Sequence, residues 1–267
     1  MPHVRSYTNL LPQPVRFGLR KAIFRGSART CPLCGNAVRG FKPSPGSEAE
    51  VLYRRQVIGG VRRDDDRCPV CHGCDRTRMM MLYLDRECGV GHRPVRLLHV
   101  APEIGLYLWI ERQRQVDYVA SDLDAHRYRH IRNMRQADLT AAPFPDDSFD
   151  VVICSHVLEH VPDDAAALRE IRRILRPGGR ALLLAPLAID GGGTDEDTSI
   201  TDPVERERRF GQWDHVRIYG RADFIDRIGA AGFETSTFEP FESYPVEAEA
   251  LHLNPLEVLP IGTRPAA

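Results

Sequence analysis

The hydrophobic pattern from residue 95 onward alternates between strand-length apolar runs and segments with helical spacing. The apolar runs predict strands over Val95–Ala101, Val116–Ser121, Asp150–Ser155, Arg180–Leu187, Gly232–Phe238 and Leu256–Thr263, with a short strand before Asp138. The segments between them predict helices over Glu103–Gln113, Asp163–Leu175 and Ala222–Ala231. Because short connections join these elements, the pattern predicts an α/β fold with a parallel, doubly wound sheet.

The N-terminal segment, residues 1–30, has a different character and is predicted to be a basic arm. Met1–Pro14 is predicted to be irregular, and Val15–Arg25 places apolar and basic side chains on largely opposite faces of a helix. Such a helix either packs on the segment that follows it or lies on an anionic membrane or phosphate surface. An arginine-bearing N-terminus without acids also resembles an organellar transit peptide, which is a third interpretation.

Five of the seven cysteines lie between residues 31 and 74, as two Cys-x2-Cys pairs and one further cysteine. Each pair forms a tight turn that directs two thiolates to one point, and two pairs complete the tetrahedral shell that zinc prefers. The sequence therefore predicts a zinc-ribbon-like module over residues 31–92. A shell of four thiolates has no open position, so the zinc is expected to be structural. Its predicted ligands are Cys31, Cys34, Cys68 and Cys71.

Other uses of these cysteines fit the spacing less well. A disulfide framework is unusual in a chain without a secretory signal, and a redox Cys-x2-Cys motif explains one pair but not two. An iron–sulfur run needs a cysteine where Arg78 stands. Cys74 and His72 remain alternative ligands, while Cys88 and Cys154 are expected to be buried thiols.

Composition places the chain among ordinary globular proteins, since 42% of its 267 residues are apolar and 27% are charged. No apolar run reaches the length of a membrane span, and no signal-peptide core follows the N-terminus, so we expect a cytoplasmic protein. Charge is uneven, because residues 1–95 contain 17 Lys and Arg against 8 Asp and Glu. This basic front indicates either an anionic partner or a module that docks on its acidic neighbour.

The ends of the predicted strands carry polar residues where a doubly wound sheet binds its ligand. Asp122 closes the second strand about twenty residues after the first, where a carboxylate can bind both ribose hydroxyls of a nucleoside. Asp138 and Leu139 combine a polar group with an apolar edge that suits an adenine ring. The alternative for Asp122 is a helix cap or an acid in a turn.

These residues lie within Leu97–Glu234, a stretch that resembles the class I S-adenosylmethionine-dependent methyltransferases, specifically the subgroup called type 11. The most specific part reads ADLTAAPFPDDSFDVVICSHVLEHVPDDAAALREIRRILRPGGRALLLAP. The resemblance implies a Rossmann-like seven-stranded sheet over residues 93–267 and S-adenosylmethionine as cofactor. It also implies that Asp122 binds the cofactor ribose, Asp138 and Leu139 the adenine, and Ser155 and His156 the methionine portion.

The sequence departs from this family in the loop after the first strand. An acid followed by three spaced glycines is usual there, whereas this chain has His-Val-Ala-Pro-Glu-Ile-Gly. Of the glycines only Gly105 is present, Ala101 stands in the loop, and Glu103 offers a carboxylate from a shifted position. We interpret the loop as a remodelled cofactor site formed by Ala101, Glu103 and Gly105, the alternative being a degraded one.

A long polar segment, residues 188–221, separates a predicted strand from the following helix and is predicted to face the substrate. It begins near three consecutive glycines and contains the run Gln-Trp-Asp-His-Val-Arg-Ile-Tyr. His215, oriented by Asp214, is the candidate base that removes a proton from the acceptor. The alternative is a rigid lid in which His215 only positions the chain. The candidate acceptor-binding residues are Gln212, Trp213, Arg217 and Tyr219.

A second polar cluster follows the strand that ends at Ser155. His156 is a candidate catalytic residue because it comes directly after the strand end, where ligands bind in this fold. Glu159 and His160 are expected instead to cap or pack the next helix. The sequence thus predicts two separate groups of candidate catalytic residues.

Together these features predict transfer of a methyl group to an oxygen or nitrogen acceptor. The expected acceptor is a small molecule or a sugar (glycan) of cell-surface or secondary metabolism. An RNA methyltransferase that grips nucleic acid with its basic module is the alternative, although the insertion lacks the basic and aromatic interleaving typical of single-stranded RNA binding. A non-catalytic binding module with a relict fold is a third interpretation.

Overall fold

The computed structural model describes residues 13–44, 46–128 and 130–266 of the chain. Its helices are α1 (Gln13–Ile23), α2 (Glu50–Arg54), α3 (Asp75–Arg86), α4 (Ile104–Ile110), α5 (Asp164–Ile174), α6 (Pro203–Phe210), α7 (Arg221–Ala230), α8 (Pro240–Ser243) and α9 (Pro245–Ala250). Its strands are β1 (Arg25–Thr30), β2 (Ala37–Val38), β3 (Val57–Ile58), β4 (Val95–Val100), β5 (Val116–Asp122), β6 (Met134–Gln136), β7 (Phe149–Ser155), β8 (Leu175–Leu184), β9 (Leu187–Ala188), β10 (Asp195–Glu196), β11 (Arg217–Gly220), β12 (Glu234–Phe238) and β13 (Leu259–Thr263).

Seven strands form the central sheet in the order β12-β13-β8-β7-β4-β5-β6. β8, β7, β4, β5 and β6 run parallel, and β13 is antiparallel to both of its neighbours. Strand order reverses at β4, since the chain first moves outward to β5 and β6 and then returns to β7 on the other side. The doubly wound, seven-stranded Rossmann-like fold predicted from the sequence is therefore confirmed, with a crevice at the carboxyl ends of β4 and β7.

Two apolar layers cover the sheet, because successive strand residues face opposite sides. Leu97 faces a core that includes residues of α3 and α4, and Leu98 faces a core that includes residues of α5 and α7. The predicted α4 ends earlier than expected, since the amide of Gln113 donates to the carbonyl of Ile110 at 2.8 Å in a tight turn. α5 matches its prediction, with Asp163 capping the amide of Ala166.

The cysteine-rich segment and the central sheet pack together in one hydrophobic core. Its longest helix, α3, was not predicted, and the buried Met79, Met80 and Leu84 of this helix share one apolar cluster with Cys31 and Leu97. Burial of a helix of this length supplies the apolar area that a ribbon of short strands lacks. The boundary predicted at residues 92 and 93 therefore separates two sequence motifs that contribute to one core.

A second, four-stranded sheet joins this segment to the predicted insertion, in the order β10-β11-β9-β3. β3 pairs with β9 in an antiparallel register that places Val57 opposite Ala188. Leu52, Phe210 and Ile218 lie in one buried cluster beneath this sheet. The insertion is thus held against the cysteine-rich segment, which brings the two regions together over the carboxyl end of the central sheet.

The predicted N-terminal helix is present as α1, whereas residues 1–12 lie outside the described residues. Phe17 packs against the core that contains the cysteines, which agrees with the interpretation that the helix packs on the module. Val15, Leu19 and Ile23 form an exposed stripe on the helix, at 51%, 44% and 51% exposure. Contact of this stripe with a membrane stays a prediction. Among the described residues, every helix is too short or too polar to span a bilayer.

Candidate functional site

Four cysteine thiols converge on one buried point of the cysteine-rich segment. The Sγ atoms of Cys31 and Cys71 lie 3.7 Å apart and those of Cys34 and Cys68 lie 3.9 Å apart. All four sulfurs lie within 4.8 Å of one another. A tetrahedral zinc ion with sulfur bonds of about 2.3 Å places its ligands roughly 3.8 Å apart, so the four thiols fit that shell.

Two similar turns create this arrangement. The amide of Gly35 donates to the carbonyl of Cys31 at 2.8 Å, and the amide of His72 donates to that of Cys68 at 2.9 Å. Cys74 lies apart from the four sulfurs, where it caps the start of α3 and its amide donates to Thr77 Oγ1 at 2.8 Å. The four predicted ligands therefore come together, and Cys74 has a different structural position.

The second cysteine turn packs directly on the start of α4. A Cβ atom added to Gly105 would lie 2.9 Å from the Cα of Gly73, which leaves no room for a side chain. The free side of Gly105 therefore contacts the cysteine-rich segment. Gly73 and Leu33 fill the space on this side of Gly105, and contact of its backbone with the cofactor stays a prediction.

Glu103 binds the ends of two central strands. Its Oε1 accepts a hydrogen bond from Ser155 Oγ at 2.8 Å, and its Oε2 lies 3.0 Å from His99 Nε2. The guanidinium Nε of Arg76, contributed by α3, lies 3.8 Å from Oε1. Burial favours the neutral carboxyl, but the contacts with His99, Arg76 and Ser155 outweigh burial and lower the pKa of Glu103. Glu103 is therefore a carboxylate at neutral pH.

The other predicted cofactor residues follow the same edge of the sheet. Ala101 begins the loop after β4, and its amide donates to the carbonyl of Ser121 at 2.8 Å, next to Asp122. Asp122 Oδ1 accepts the amide of Asp124 at 2.8 Å. Asp138 accepts the amide of Thr140 at 2.8 Å and starts a short 3-10 helix, Leu139–Ala141, whose Leu139 side chain is buried. The structure thus places Ala101, Glu103, Asp122, Asp138 and Ser155 along one crevice.

A cluster of acid and imidazole groups lines a cavity of about 240 Å³ between the insertion and the cysteine-rich segment. Ligand atoms of Glu159, His160 and His215 lie within 4.8 Å of one another. The rings of His160 and His215 meet edge to face, with centroids 4.6 Å apart. Nδ1 of His156 lies 3.3 Å from Oε1 of Glu159. The two groups of candidate catalytic residues predicted separately therefore form one site.

Burial sets the charge state of the imidazoles in this cluster. It lowers the pKa of both His156 and His215, which favours the neutral rings at pH 7. Glu159 keeps its charge, because the neighbouring His156, together with the other imidazoles, outweighs burial and lowers its pKa to about 2. The site therefore combines the carboxylate of Glu159 with the imidazoles of His156 and His215, whose neutral forms burial favours.

Three predictions about the insertion need correction. Asp214 does not orient His215, whose Nδ1 donates to the carbonyl of Phe210 at 3.3 Å. Instead, Asp214 accepts a hydrogen bond from Gln212 at 2.7 Å and lies 3.4 Å from Nδ1 of His160. The reason is backbone geometry, because Trp213 and Asp214 lie in a turn in which the amide of His215 donates to the carbonyl of Gln212 at 3.3 Å.

Arg217 and Tyr219 are also misassigned as acceptor-binding residues, because both are fully buried. Arg217 donates to the carbonyls of Leu158, Val161 and Pro162, at 2.8 Å, 2.5 Å and 2.9 Å. The hydroxyl of Tyr219 donates to the carboxylate of Asp164 at 2.7 Å. These side chains therefore hold the loop after β7 in place. Trp213 is 60% exposed, and Gln212 lines the cavity.

Three residues that line the cavity were not predicted from the sequence as parts of the site. Glu159 and His160 were expected to cap or pack α5, but Asp163 is the cap and both residues line the cavity. Arg76 lines the same cavity and was not considered, because it lies in α3, the helix that the sequence pattern did not predict. The Glu-His pair directly after a strand end was the signal available for the first two residues.

Comparisons with known proteins agree with the fold. The profile of a family described as "Methyltransferase domain" matches residues 88–183. An uncharacterized methyltransferase of Bacillus subtilis, YcgJ, is 29% identical over 135 residues, which cover 49% of this chain and 52% of that protein. The 2-phytyl-1,4-naphtoquinone methyltransferase of Synechococcus elongatus is 33% identical over 106 residues, covering 38% and 44% of the two chains.

The chain spans about half the length, or less, of these curated relatives. Among solved structures, that of the Bacillus YcgJ protein aligns with a TM-score of 0.46 and 17% identity, over 72% of this chain and 99% of that one. The residues matched by the family profile, 88–183, contain the central strands β4, β5, β6, β7 and most of β8. This is the part of the chain that carries the crevice.

Proposed function

We propose that this chain, which carries a class I S-adenosylmethionine-dependent methyltransferase domain, transfers a methyl group to a small-molecule acceptor. The observation that carries the proposal is the row of carboxylates Glu103, Asp122 and Asp138 along the crevice where strand order reverses. In sheets of this kind the ligand binds at that point, and a carboxylate at the end of the second parallel strand suits ribose hydroxyls.

The chain offers partners for each part of the cofactor. Asp122 is positioned for the ribose, and Asp138 with the buried Leu139 for the adenine. Glu103, held by Ser155, supplies a negative charge for the methionine amine in place of the missing acid after β4. The buried Nε of Arg76 forms no hydrogen bond with any described residue and lies close to Glu103, which suits it to the methionine carboxylate.

When bound, the cofactor would supply an electrophilic methyl group on a positively charged sulfur, whose neutral thioether form is a good leaving group. The chain contributes alignment and exclusion of water. The cavity lined by His156, Gln212 and His215 adjoins Ser155 and is the proposed acceptor site. Its polar lining favours a small acceptor rich in oxygen or nitrogen.

We propose zinc for the four-cysteine cluster, on the sulfur distances given above. Cys31, Cys34, Cys68 and Cys71 would hold it as thiolates with no open position, so its contribution is structural. The ion would fix the second cysteine turn against α4 and thereby hold Arg76 near Glu103.

The cofactor assignment is tested by calorimetric titration of S-adenosylmethionine into zinc-replete protein. We expect binding that the substitution Asp122→Ala weakens ten- to hundredfold, because a hydrogen bond to a charged group contributes about 1.5–3 kcal/mol. Asp117→Ala is the matched control, since Asp117 lies at the opposite end of β5 and pairs with Arg96 on the surface.

Absence of binding to folded, zinc-replete protein would overturn the proposed function and favour a non-catalytic binding module. Where binding is observed, transfer of labelled methyl groups is measured with sugars, quinones and RNA as acceptors. Transfer to oxygen or nitrogen of a small molecule supports the proposal. Transfer confined to RNA, or to a quinone carbon, would overturn the acceptor assignment while leaving the cofactor assignment intact.

A further inference from the structure

We propose that Glu159, His160 and His215 bind a divalent transition-metal ion in the acceptor cavity. The three side chains come from two separate segments, the 3-10 helix Leu158–His160 after β7 and the loop before β11. Their ligand atoms lie within 4.8 Å of one another. The site is distinct from the four-cysteine cluster, with which it shares no residue.

The carboxylate of Glu159 is the first argument for a bound cation. Only 1% of this residue is exposed, and neither of its oxygens accepts a hydrogen bond within the described part of the chain. Nδ1 of His156 is near, but its contact with Oε1 lacks hydrogen-bond geometry. A buried carboxylate that accepts no hydrogen bond and has one imidazole beside it is costly, and a metal ion would satisfy both of its oxygens.

Each of the two imidazoles has an oxygen near one ring nitrogen, as histidine metal ligands usually do. Nδ1 of His215 donates to the carbonyl of Phe210, and Nδ1 of His160 lies 3.3 Å from the carbonyl and 3.4 Å from the carboxylate of Asp214. Among the described residues, neither Nε2 atom forms a hydrogen bond. An oxygen acceptor at one ring nitrogen fixes the tautomer and leaves the lone pair of the other nitrogen for a metal ion.

The backbone around the cluster is held rigidly. Arg217 binds the carbonyl of Leu158 from inside the fold, and the amide of Val216 donates to the carbonyl of Glu159 at 3.0 Å. These bonds fix the distance between the two segments that supply the ligands. Metal bonds of about 2.1 Å separate ligand atoms by roughly 3–4 Å, so binding requires only a small contraction of the cluster.

Two imidazoles and one carboxylate favour a first-row transition metal over Mg²⁺ or Ca²⁺, which prefer shells of oxygen. Three protein ligands leave open positions, and the adjacent cavity gives a small molecule access to them. An acceptor oxygen or nitrogen would occupy such a position, a role that rests on the proposed function. Metal binding itself does not, because it needs neither cofactor nor acceptor.

The test is titration of Mn²⁺, followed by electron paramagnetic resonance, into protein whose cysteine cluster is loaded with zinc. We expect one equivalent of Mn²⁺ to bind, and Glu159→Gln and His215→Gln to weaken that binding at least tenfold. His92→Gln is the matched control, because the side chain of His92 is 70% exposed and distant in the fold from the cavity. The affinity of the His92 variant for Mn²⁺ should equal that of the unmodified protein.

Titration with Co²⁺ separates the two metal sites by their ligands. A metal at Glu159, His160 and His215 gives no sulfur-to-metal charge-transfer absorption, whereas a metal that displaces zinc from the cysteines does. Near-ultraviolet circular dichroism and retained S-adenosylmethionine binding verify that each variant is folded. Failure to bind an additional equivalent, or equal binding by the folded variants and the unmodified protein, would overturn the metal site without bearing on methyl transfer.

Discussion

Ala101 and His156 adopt the left-handed backbone conformation, with φ of +47° and +54°. Each stands directly after a central strand, β4 or β7, at the crevice. Residues other than glycine incur a cost of about 1–2 kcal/mol in this region, and they persist where surrounding contacts hold them. At Ala101 the strain stands where the related methyltransferases are expected to have a glycine, which agrees with a remodelled loop.

Glu257 provides a pH-dependent contribution to stability. It is buried, and burial together with the negative charges of Asp75 and Asp66 raises its pKa to about 8, although Arg76 and Arg63 act in the opposite direction. Between the ordinary carboxyl pKa and 8, the folded protein binds more protons at this site than the unfolded chain. Its contribution is therefore complete at low pH and is lost as pH rises through 8, by at most about 1.4 kcal/mol per pH unit.

We expect Glu257→Gln to flatten this part of the stability profile and to increase stability relative to the unmodified protein above pH 8. Urea unfolding between pH 5 and about 9 measures the effect. Glu249→Gln, at an exposed position, should leave the profile unchanged. If the free energy of unfolding of the Glu257 variant falls with pH as steeply as that of the unmodified protein, another group carries the pH dependence.

At the scale of elements, the contact between α4 and the second cysteine turn depends on the absence of a side chain at Gly105. A Cβ atom there would meet backbone atoms of Gly73 at 2.9 Å and 3.1 Å, and backbone cannot move aside as a flexible side chain can. We expect Gly105→Ala to destabilise the protein by about 1–3 kcal/mol in urea unfolding, although alanine favours helix.

The substitution Gly18→Ala is the control that separates the loss of the contact between Gly105 and Gly73 from the change in helix propensity. Gly18 also lies in a helix, α1, and a Cβ atom at this position would meet no atom of the described residues within 4 Å. The change should be neutral or stabilising by up to about 1 kcal/mol. Equal effects of the two substitutions would contradict the proposed close contact between α4 and the cysteine turn.

At the scale of the whole molecule, the cysteine-rich segment and the central sheet are expected to unfold together. Met79 and Met80 of α3 lie in the same buried cluster as Leu97 and Ile153 of the sheet. Structural zinc contributes on the order of 10 kcal/mol to small modules, so its removal should destabilise the sheet as well. We expect Cys34→Ser to lower zinc content and to shift a single calorimetric transition to lower temperature.

Cys88→Ser is the matched control for this experiment, because Cys88 is buried in the same cluster and is not one of the four converging cysteines. The Cys88 variant should retain zinc, and its transition temperature should fall less than that of the Cys34 variant. Two separate transitions, with only one of them sensitive to zinc, would show that the segment and the sheet are independent folding units.

Much of the site could be predicted because it lies at strand ends. Hydrophobic runs located β4, β5 and β7, and the residue after a strand in a doubly wound sheet faces the ligand crevice. Asp122 was predicted in this way, whereas Glu103 and Ser155 were singled out through the resemblance to a known family. The roles of Arg217 and Tyr219 could not be found, since a run of polar and aromatic residues looks the same whether its side chains face a substrate or hold a buried loop.

The sequence by itself determined the sheet, the four converging cysteines and the similarity of residues 88–183 to a methyltransferase domain, because period, spacing and motif are local properties of the chain. Only the tertiary structure decided that α3 completes the core, that Gly105 faces Gly73, and that Glu159, His160 and His215 share one cavity. These contacts join residues far apart in sequence. Their partners are set by the packing of whole elements, which no local pattern records.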